Sequence, residues 1–356
     1  MIGKKRIILL ATILSICFAM GCRKIVFAEG SLIVGGETLS ASETENKNAD
    51  GTATYDYEND TLILNDYGGG PIFYNEDTAL TIVLNGSNAI NATNENYGIY
   101  AEDADVKLTG SGDLSIVHTE RSGISIKKGS LIIDNTSIGI ADSDNDGIYV
   151  GDDFTMAGGK LIIKNAAQGI SADNFVVEDG EINIDVDIMS ILTSLDIKIN
   201  GGKLTLKSHI VGIIAQRHVE INGGYVDIDA GEEGLSAAIV IPKFSEDIYL
   251  KIADNMKIAP EDVSVQSADL NYDGDEFESL TIGKPGATIL LDGLDAASTN
   301  TASKVTIYTE EEQEEENPPT GENIVPSIII GGGSLIILAG YIIYTAYVNR
   351  KREIYY

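Results

Sequence analysis

Asp142, Asp144, Asp146 and Gly147 stand in the order D-x-D-x-D-G inside ADSDNDGIYVGDD, residues 141–153, and Asp153 occupies the twelfth position counted from Asp142. Carboxylates on alternate positions are hard oxygen donors of the kind Ca2+ takes, the glycine permits a sharp turn, and a twelfth-position carboxylate closes the shell. A second copy runs Asp269, Asn271, Asp273, Gly274, Asp275; its twelfth position is Leu280, so Glu276 or Glu278 has to close it. The first stretch has strand-like flanks, which excludes a helix–loop–helix calcium hand there. A solvated turn also uses Asp, Asn and Gly. What a turn does not need is three carboxylates within five residues, whose mutual repulsion a cation removes. Sister corners carry NENYG, TERSG and NAAQG, so the excess of carboxylates is particular to this one.

A second pattern concerns sugars. If Ile99, Ile124, Ile148 and Ile170 point inward from strands, then Tyr100, Ser125, Tyr149 and Ser171 point outward in a stacked row. Tyr100 and Tyr149, two strands apart, are then about 10 Å from each other, a spacing suited to aromatic contact with alternate sugars of an extended glycan. The chain has no Trp. Catalytic patterns are weaker. His118, His209 and His218 are not spaced as metal ligands, and none sits beside a convincing nucleophile. Arg121 and Arg217 are the candidate bases for a lyase, and carboxylates are too numerous to single out a hydrolase pair. No catalytic residue is assigned.

The elements that position these residues are short alternating strings such as KLIIK, EINID, KLTLK and YVDID, with no long helical periodicity. Gly98-Ile99, Gly123-Ile124, Gly147-Ile148, Gly169-Ile170, Gly212-Ile213 and Gly234-Leu235 recur every 22 to 25 residues, with one double gap whose middle holds Ser190-Ile191. Three short strands per period predict an all-β chain: a single-stranded parallel β-helix, whose stacked coils share one core. Asn-Gly-Gly at 200–202 and 222–224, with Ala157-Gly158-Gly159, supplies turns that need positive φ. A β-sandwich also has many short strands, but it does not predict this fixed beat. The divisions expected are opening coils in 29–97, regular coils in 98–237 and a capping β region in 238–309.

The ends predict export. Lys4, Lys5 and Arg6 precede an apolar run, as in a signal peptide (1–28) cleaved after Ala28; Cys22 is a rival lipidation site. Residues 310–326 form an acidic stalk, 327–348 an apolar span long enough for a bilayer, and 349–356 a basic tail that stays inside. With 55 acidic against 24 basic side chains and a net charge of −31, the chain is ill suited to nucleic acid.

Two resemblances follow. Asn-Pro-Pro-Thr-Gly at 317–321, followed by the apolar span and basic tail, is similar to cell-wall sorting signals, which implies cleavage between Thr320 and Gly321 and attachment to peptidoglycan. The stretch from Gly51 to Thr309, with YDYENDTLILND, its Gly-Gly-x-L-x-I strands and its Gly-Ile corners, resembles carbohydrate-binding parallel β-helix proteins of anaerobic Gram-positive surfaces. That resemblance implies a right-handed coil, bound calcium and adhesion to plant-type polysaccharides, including acidic ones. The expectation is a surface polysaccharide-binding protein, calcium-assisted. A structural adhesin with a protein partner and a calcium-dependent lyase or hydrolase are the alternatives.

Overall fold

The computed structural model describes residues 32–39, 46–231, 237–242, 247–272, 275–283, 294–296 and 303–309. The expected signal peptide, the stalk with Thr320 and Gly321, the apolar span and the basic tail lie outside the described residues. What is described is all-β, a solenoid of about eight turns. No helix among the described residues is long and apolar enough to cross a membrane.

Each coil gives strands to two sheets. One face is an eleven-stranded sheet running from Asn46–Lys47 to Tyr249–Ile252. Its parallel ladder stacks Val106, Leu131, Phe154, Phe175, Ile197, Val219 and Leu250 in register. The other two faces belong to a nineteen-stranded sheet. In four successive coils these faces are one long bent strand, Ser87–Ala101, Asp113–Ile126, Thr136–Val150 and Gly159–Ala172. The sequence predicts two short strands there. Chain continuity through the corner is kept by one left-handed residue per coil, Asn94, His118, Asp142 and Asn165, with φ between 53° and 65°. In later coils the two faces separate into distinct strands, as in Glu181–Asp185 and Met189–Thr193.

The recurring Gly-Ile pairs have a packing cause. Ile99, Ile124, Ile148, Ile170, Ile191, Ile213 and Ile239 pair coil to coil and are fully buried, each contributing about 1.5–3 kcal/mol of burial. Gly98, Gly123, Gly147, Gly169 and Gly212, each preceding one of these isoleucines, face the same core, and Ser190 and Ala238 hold the place before Ile191 and Ile239. A Cβ on Gly147 would lie 2.4 Å from Ile163 Cγ2 and 2.9 Å from the Gly169 carbonyl oxygen. Gly147 is therefore required for space; the left-handed residue of its corner is Asp142. Turn glycines behave as expected at Gly159, Gly202 and Gly224, all with positive φ.

The coil runs past 237. Ala237–Pro242 continues it, so the beat after Gly212-Ile213 is Ala238-Ile239, because this corner is longer than a 22-residue period allows. Gly234-Leu235 lies outside the described residues. Tyr249–Ile252 extends the other sheet in parallel. Antiparallel strands then close the stack: Lys304–Tyr308 on Tyr225–Asp229, and Asp275–Gly283 on Ala237–Pro242. The opposite end is covered by Leu32–Val34, which pairs antiparallel with Ile72–Tyr74. In the nineteen-stranded sheet these antiparallel strands cover the edges of Ile72–Tyr74, Tyr225–Asp229 and Ala237–Pro242.

Candidate carbohydrate-binding groove

The bend in the long strands sets the site. Two successive residues, such as Gly98 and Ile99, face the core, so the residues on either side, Tyr97 and Tyr100, both face outward and meet across the bend. Their rings stack at 4.9 Å with 28° between planes. Each coil repeats the arrangement, and register aligns the pairs. Tyr100, Ser125, Tyr149, Ser171 and Leu192 form one row. In the second row Tyr97 is paired with Ser122, and Asp146 with Gln168 and then Met189; the Ser122 hydroxyl reaches Asp146 Oδ2 at 3.5 Å. The result is a groove along the coil axis with four polar or aromatic rungs: Tyr97/Tyr100, Ser122/Ser125, Asp146/Tyr149 and Gln168/Ser171.

At one end the aromatic pair is held firmly. Tyr100 is buried between Tyr97 and Phe73, whose ring lies 6.4 Å away. Its hydroxyl donates to Glu102, which also pairs with Lys127. Burial, and then the Glu102 hydrogen bond, push the Tyr100 hydroxyl pKa up. Burial works against the Glu102 charge, but Lys127 and Tyr100 outweigh it and hold that carboxyl below its usual range. Arg121 lies over the Tyr97 ring at 5.9 Å, a cation–π geometry. Farther along, Tyr149 is 36% exposed. Asp146 beside it is half-buried; burial pushes its carboxyl up to about 7, opposed by the Ser122 hydroxyl and the Arg121 charge.

The four carboxylates expected to share a cation are not brought together. Asp142 is at the left-handed corner, where its Oδ1 accepts from Asn165 at 2.9 Å and its Oδ2 lies 3.8 Å from His118. Asp144 is exposed on the rim, while Asp146 turns into the groove. Asp153 has crossed to the eleven-stranded sheet, where it accepts from Asn174 at 2.7 Å. The spacing to a twelfth position assumes one continuous loop, and the solenoid instead starts a new face after Val150. In the second copy, Asp269 and Asn271 belong to the strand Ser264–Tyr272 and Asp275 opens the strand Asp275–Gly283. These pair antiparallel with Tyr272 opposite Asp275. Asp273 lies outside the described residues. Among the described residues no three His, Cys, Asp or Glu side chains form a group able to hold a metal ion.

Of the expected sugar contacts, Tyr149 is partly exposed and Tyr100 is a buried support for Tyr97. Sequence reasoning missed Tyr97, Ser122 and Gln168, and it singled out Arg121 as a base, whereas the structure sets it over the Tyr97 ring. Arg217, the other candidate base, is locked to Asp196 by paired hydrogen bonds of 2.8 and 2.5 Å. Asp196 also contacts His218 Nδ1 at 2.9 Å, and His218 stacks on Tyr249 at 4.1 Å.

Comparison with known families matches residues 38–341 to the family described as carbohydrate-binding domain-containing protein. The chain belongs to that family. No curated protein matches the sequence. Among solved structures, the polysaccharide lyase-like protein from C. thermocellum, a gadolinium derivative, is similar at 17% identity, covering 58% of this chain and 92% of its own, with a TM-score of 0.41.

Proposed function

We propose that this protein is a non-catalytic polysaccharide-binding protein of the cell surface, built on a right-handed coil, and that the glycan lies in the groove along the bend. Membership of a carbohydrate-binding family supports sugar binding in general. The observation that carries the location is the pairing of outward residues across the bend, which gathers aromatic faces, hydroxyls, an amide, a carboxyl and Arg121 along one line. Aromatic rings bind the apolar faces of sugars, and neighbouring polar groups fix orientation. A lyase or hydrolase needs a base or a carboxylate pair at the scissile bond. Of the two candidate bases, Arg217 is tied to Asp196 and Arg121 lies over the Tyr97 ring as a cation.

Calcium enters this reading in a narrower form than the sequence suggests. The loop carboxylates do not converge, so no shell is built from Asp142, Asp144, Asp146 and Asp153 together. The exposed Asp142 and Asp144 remain as donors at the rim, with the oxygens of an acidic polymer completing the ion's surroundings. Export and anchoring through residues 1–28 and 310–356, to membrane or peptidoglycan, complete the proposal and are tested by fractionating cells that express Thr320→Ala.

The function is tested on a glycan array, with and without chelator, comparing the parent protein with Tyr149→Ala. Binding to at least one polysaccharide, weakened by the substitution, is expected; no binding to any glycan contradicts the proposal. Release of reducing ends or unsaturated products would contradict the non-catalytic part.

A further inference from the structure

We infer that one face of the nineteen-stranded sheet, from Thr136–Val150 across to Lys304–Tyr308, pairs with the same face of a second copy of this chain, the two coil axes running in opposite directions.

The face is striped by charge. Leu161 and Ile163 are buried, so Lys160 and Lys164 point outward at the two ends of their stretch of strand. In the next coil the same two places hold Glu181 and Asp185, and in the one after that Lys203 and Lys207. Asp229 follows Lys207 in the fourth coil. Each of the first three strands carries a single sign at both ends, and the sign reverses from coil to coil.

Opposite charges on neighbouring strands suit pairing within one chain, and one edge of the face uses it. Lys160 bonds Glu181 at 2.9 Å, and Lys203 lies 5.5 Å from the centre of the Tyr225 ring. The other edge does not. Lys164, Asp185 and Lys207 are exposed, and none of the three makes an ion pair among the described residues, although their strands lie about 4.8 Å apart. Three charges of alternating sign are left facing outward, next to Asp229, which bonds Lys304 at 3.2 Å.

A pattern that repeats every two coils complements itself when it is shifted by one. A two-fold axis lying in the face, parallel to the strands and between Glu181–Asp185 and Lys203–Lys207, makes that shift, because it reverses coil order and keeps strand direction. Asp185 then meets the second copy's Lys207, Glu181 its Lys203 and Lys164 its Asp229. Every contact is made twice, as in any isologous pair. A two-fold axis along the coil would instead set each stripe on its own copy, like charge on like, which is costly. Charge therefore selects the antiparallel arrangement.

The outer strands fit the same axis. Ser137, Gly139 and Ala141, small residues beside Lys160–Lys164, come opposite the strand Lys304–Tyr308, which lies beside Tyr225–Asp229. The matched area is six strands deep and one strand segment wide, about 29 Å by 17 Å. Two such faces cover about 1,000 Å², the low end for a specific interface. The pair is accordingly weak and reversible.

The test is sedimentation velocity of the full chain in detergent solution, over a concentration series, at about 0.05 M and about 1 M salt. The parent should dimerise at low salt and dissociate at high salt, where the screening length falls to about 3 Å. Asp185→Lys and Lys207→Asp each oppose like charges at both symmetry-related contacts, and each should weaken the dimer about tenfold or more while leaving the melting transition in place. The double variant should regain the parent's affinity. The two single variants, mixed, should form a heterodimer, since every contact in the mixed pair again joins opposite charges; a change confined to one chain's own stability cannot produce this. A parent that stays monomeric at low salt, single variants that dimerise as well as the parent, or singles that fail to associate when mixed would each overturn the inference. Loss of polysaccharide binding in the single variants of a monomeric parent would assign the face to a glycan and overturn it as well.

Discussion

Replacing Gly147 by alanine tests whether the aspartate-rich corner is built for packing or for a metal loop. The added methyl would sit 2.4 Å from Ile163 Cγ2, 3.0 Å from Ile163 Cδ1 and 2.9 Å from the Gly169 carbonyl oxygen. Ile163 is fully buried and the carbonyl belongs to the next coil's ladder, so neither partner is a flexible surface group. Overpacking of this kind costs about 1–3 kcal/mol. At about 2–4 °C of melting temperature per kcal/mol for a domain of this class, Gly147→Ala should melt about 2–12 °C lower. Gly139→Ala is the control. Its nearest atom outside its chain neighbours is the Leu114 carbonyl oxygen at 4.0 Å, so it should be neutral, or slightly stabilised by the lower chain entropy of alanine. Ile163→Ala alone costs about 2–5 kcal/mol as a cavity, but it removes the clash. In a double-mutant cycle the pair should therefore cost about 1–3 kcal/mol less than the sum of the singles. Thermal unfolding in excess chelator provides all four values. Equal stability of Gly147→Ala and Gly139→Ala, or strict additivity in the cycle, would refute the packing account of the recurring glycine.

Other expectations concern charge and metal. Asp196 is held below the usual carboxylate range: burial opposes its charge, but Arg217 and His218 outweigh that effect. Its contribution to stability is therefore present above the unfolded pKa near 3.8 and is lost as pH falls through the lower folded value. Arg217→Ala should cost about 1 kcal/mol at pH 7 and make the acid-side decline shallower; an unchanged acid limb in melts from pH 7 down to strongly acid would contradict it. For calcium, calorimetric titration of the body from Glu29 to Thr309 should show no tight site, and polygalacturonate binding should fall in chelator and in Asp144→Ala while neutral-glycan binding persists. A tight calcium heat abolished by Asp153→Ala would show that residues on two different sheets do share an ion.

The period-two alternation and the Gly-Ile beat made the coil, its core face and its outward row legible, because both follow from local sterics repeated at each turn. The lining of the groove was only half legible. Strict alternation places Tyr100 and Tyr149 outside but hides Tyr97 and Gln168, since the bend sends two neighbours inward in succession. The signal was there in the residue preceding each beat: Tyr97, Ser122, Asp146 and Gln168. Asp153 was misplaced because a twelve-residue loop template ignores where the solenoid changes face. Gly234-Leu235 mimicked a beat that the longer corner moves to Ala238-Ile239, and nothing short of strand pairing distinguishes the two.

The central claim is that the bend groove binds the glycan. Its most direct measurement is the affinity of a glycan identified on the array for the parent protein, Tyr149→Ala and Tyr249→Ala. Tyr149 lies in the groove, whereas Tyr249 is 37% exposed on the eleven-stranded sheet. The account predicts a loss of about tenfold for Tyr149→Ala and no change for Tyr249→Ala, with both variants folded. Full affinity in Tyr149→Ala together with a loss in Tyr249→Ala would move the ligand to the other sheet and contradict the account.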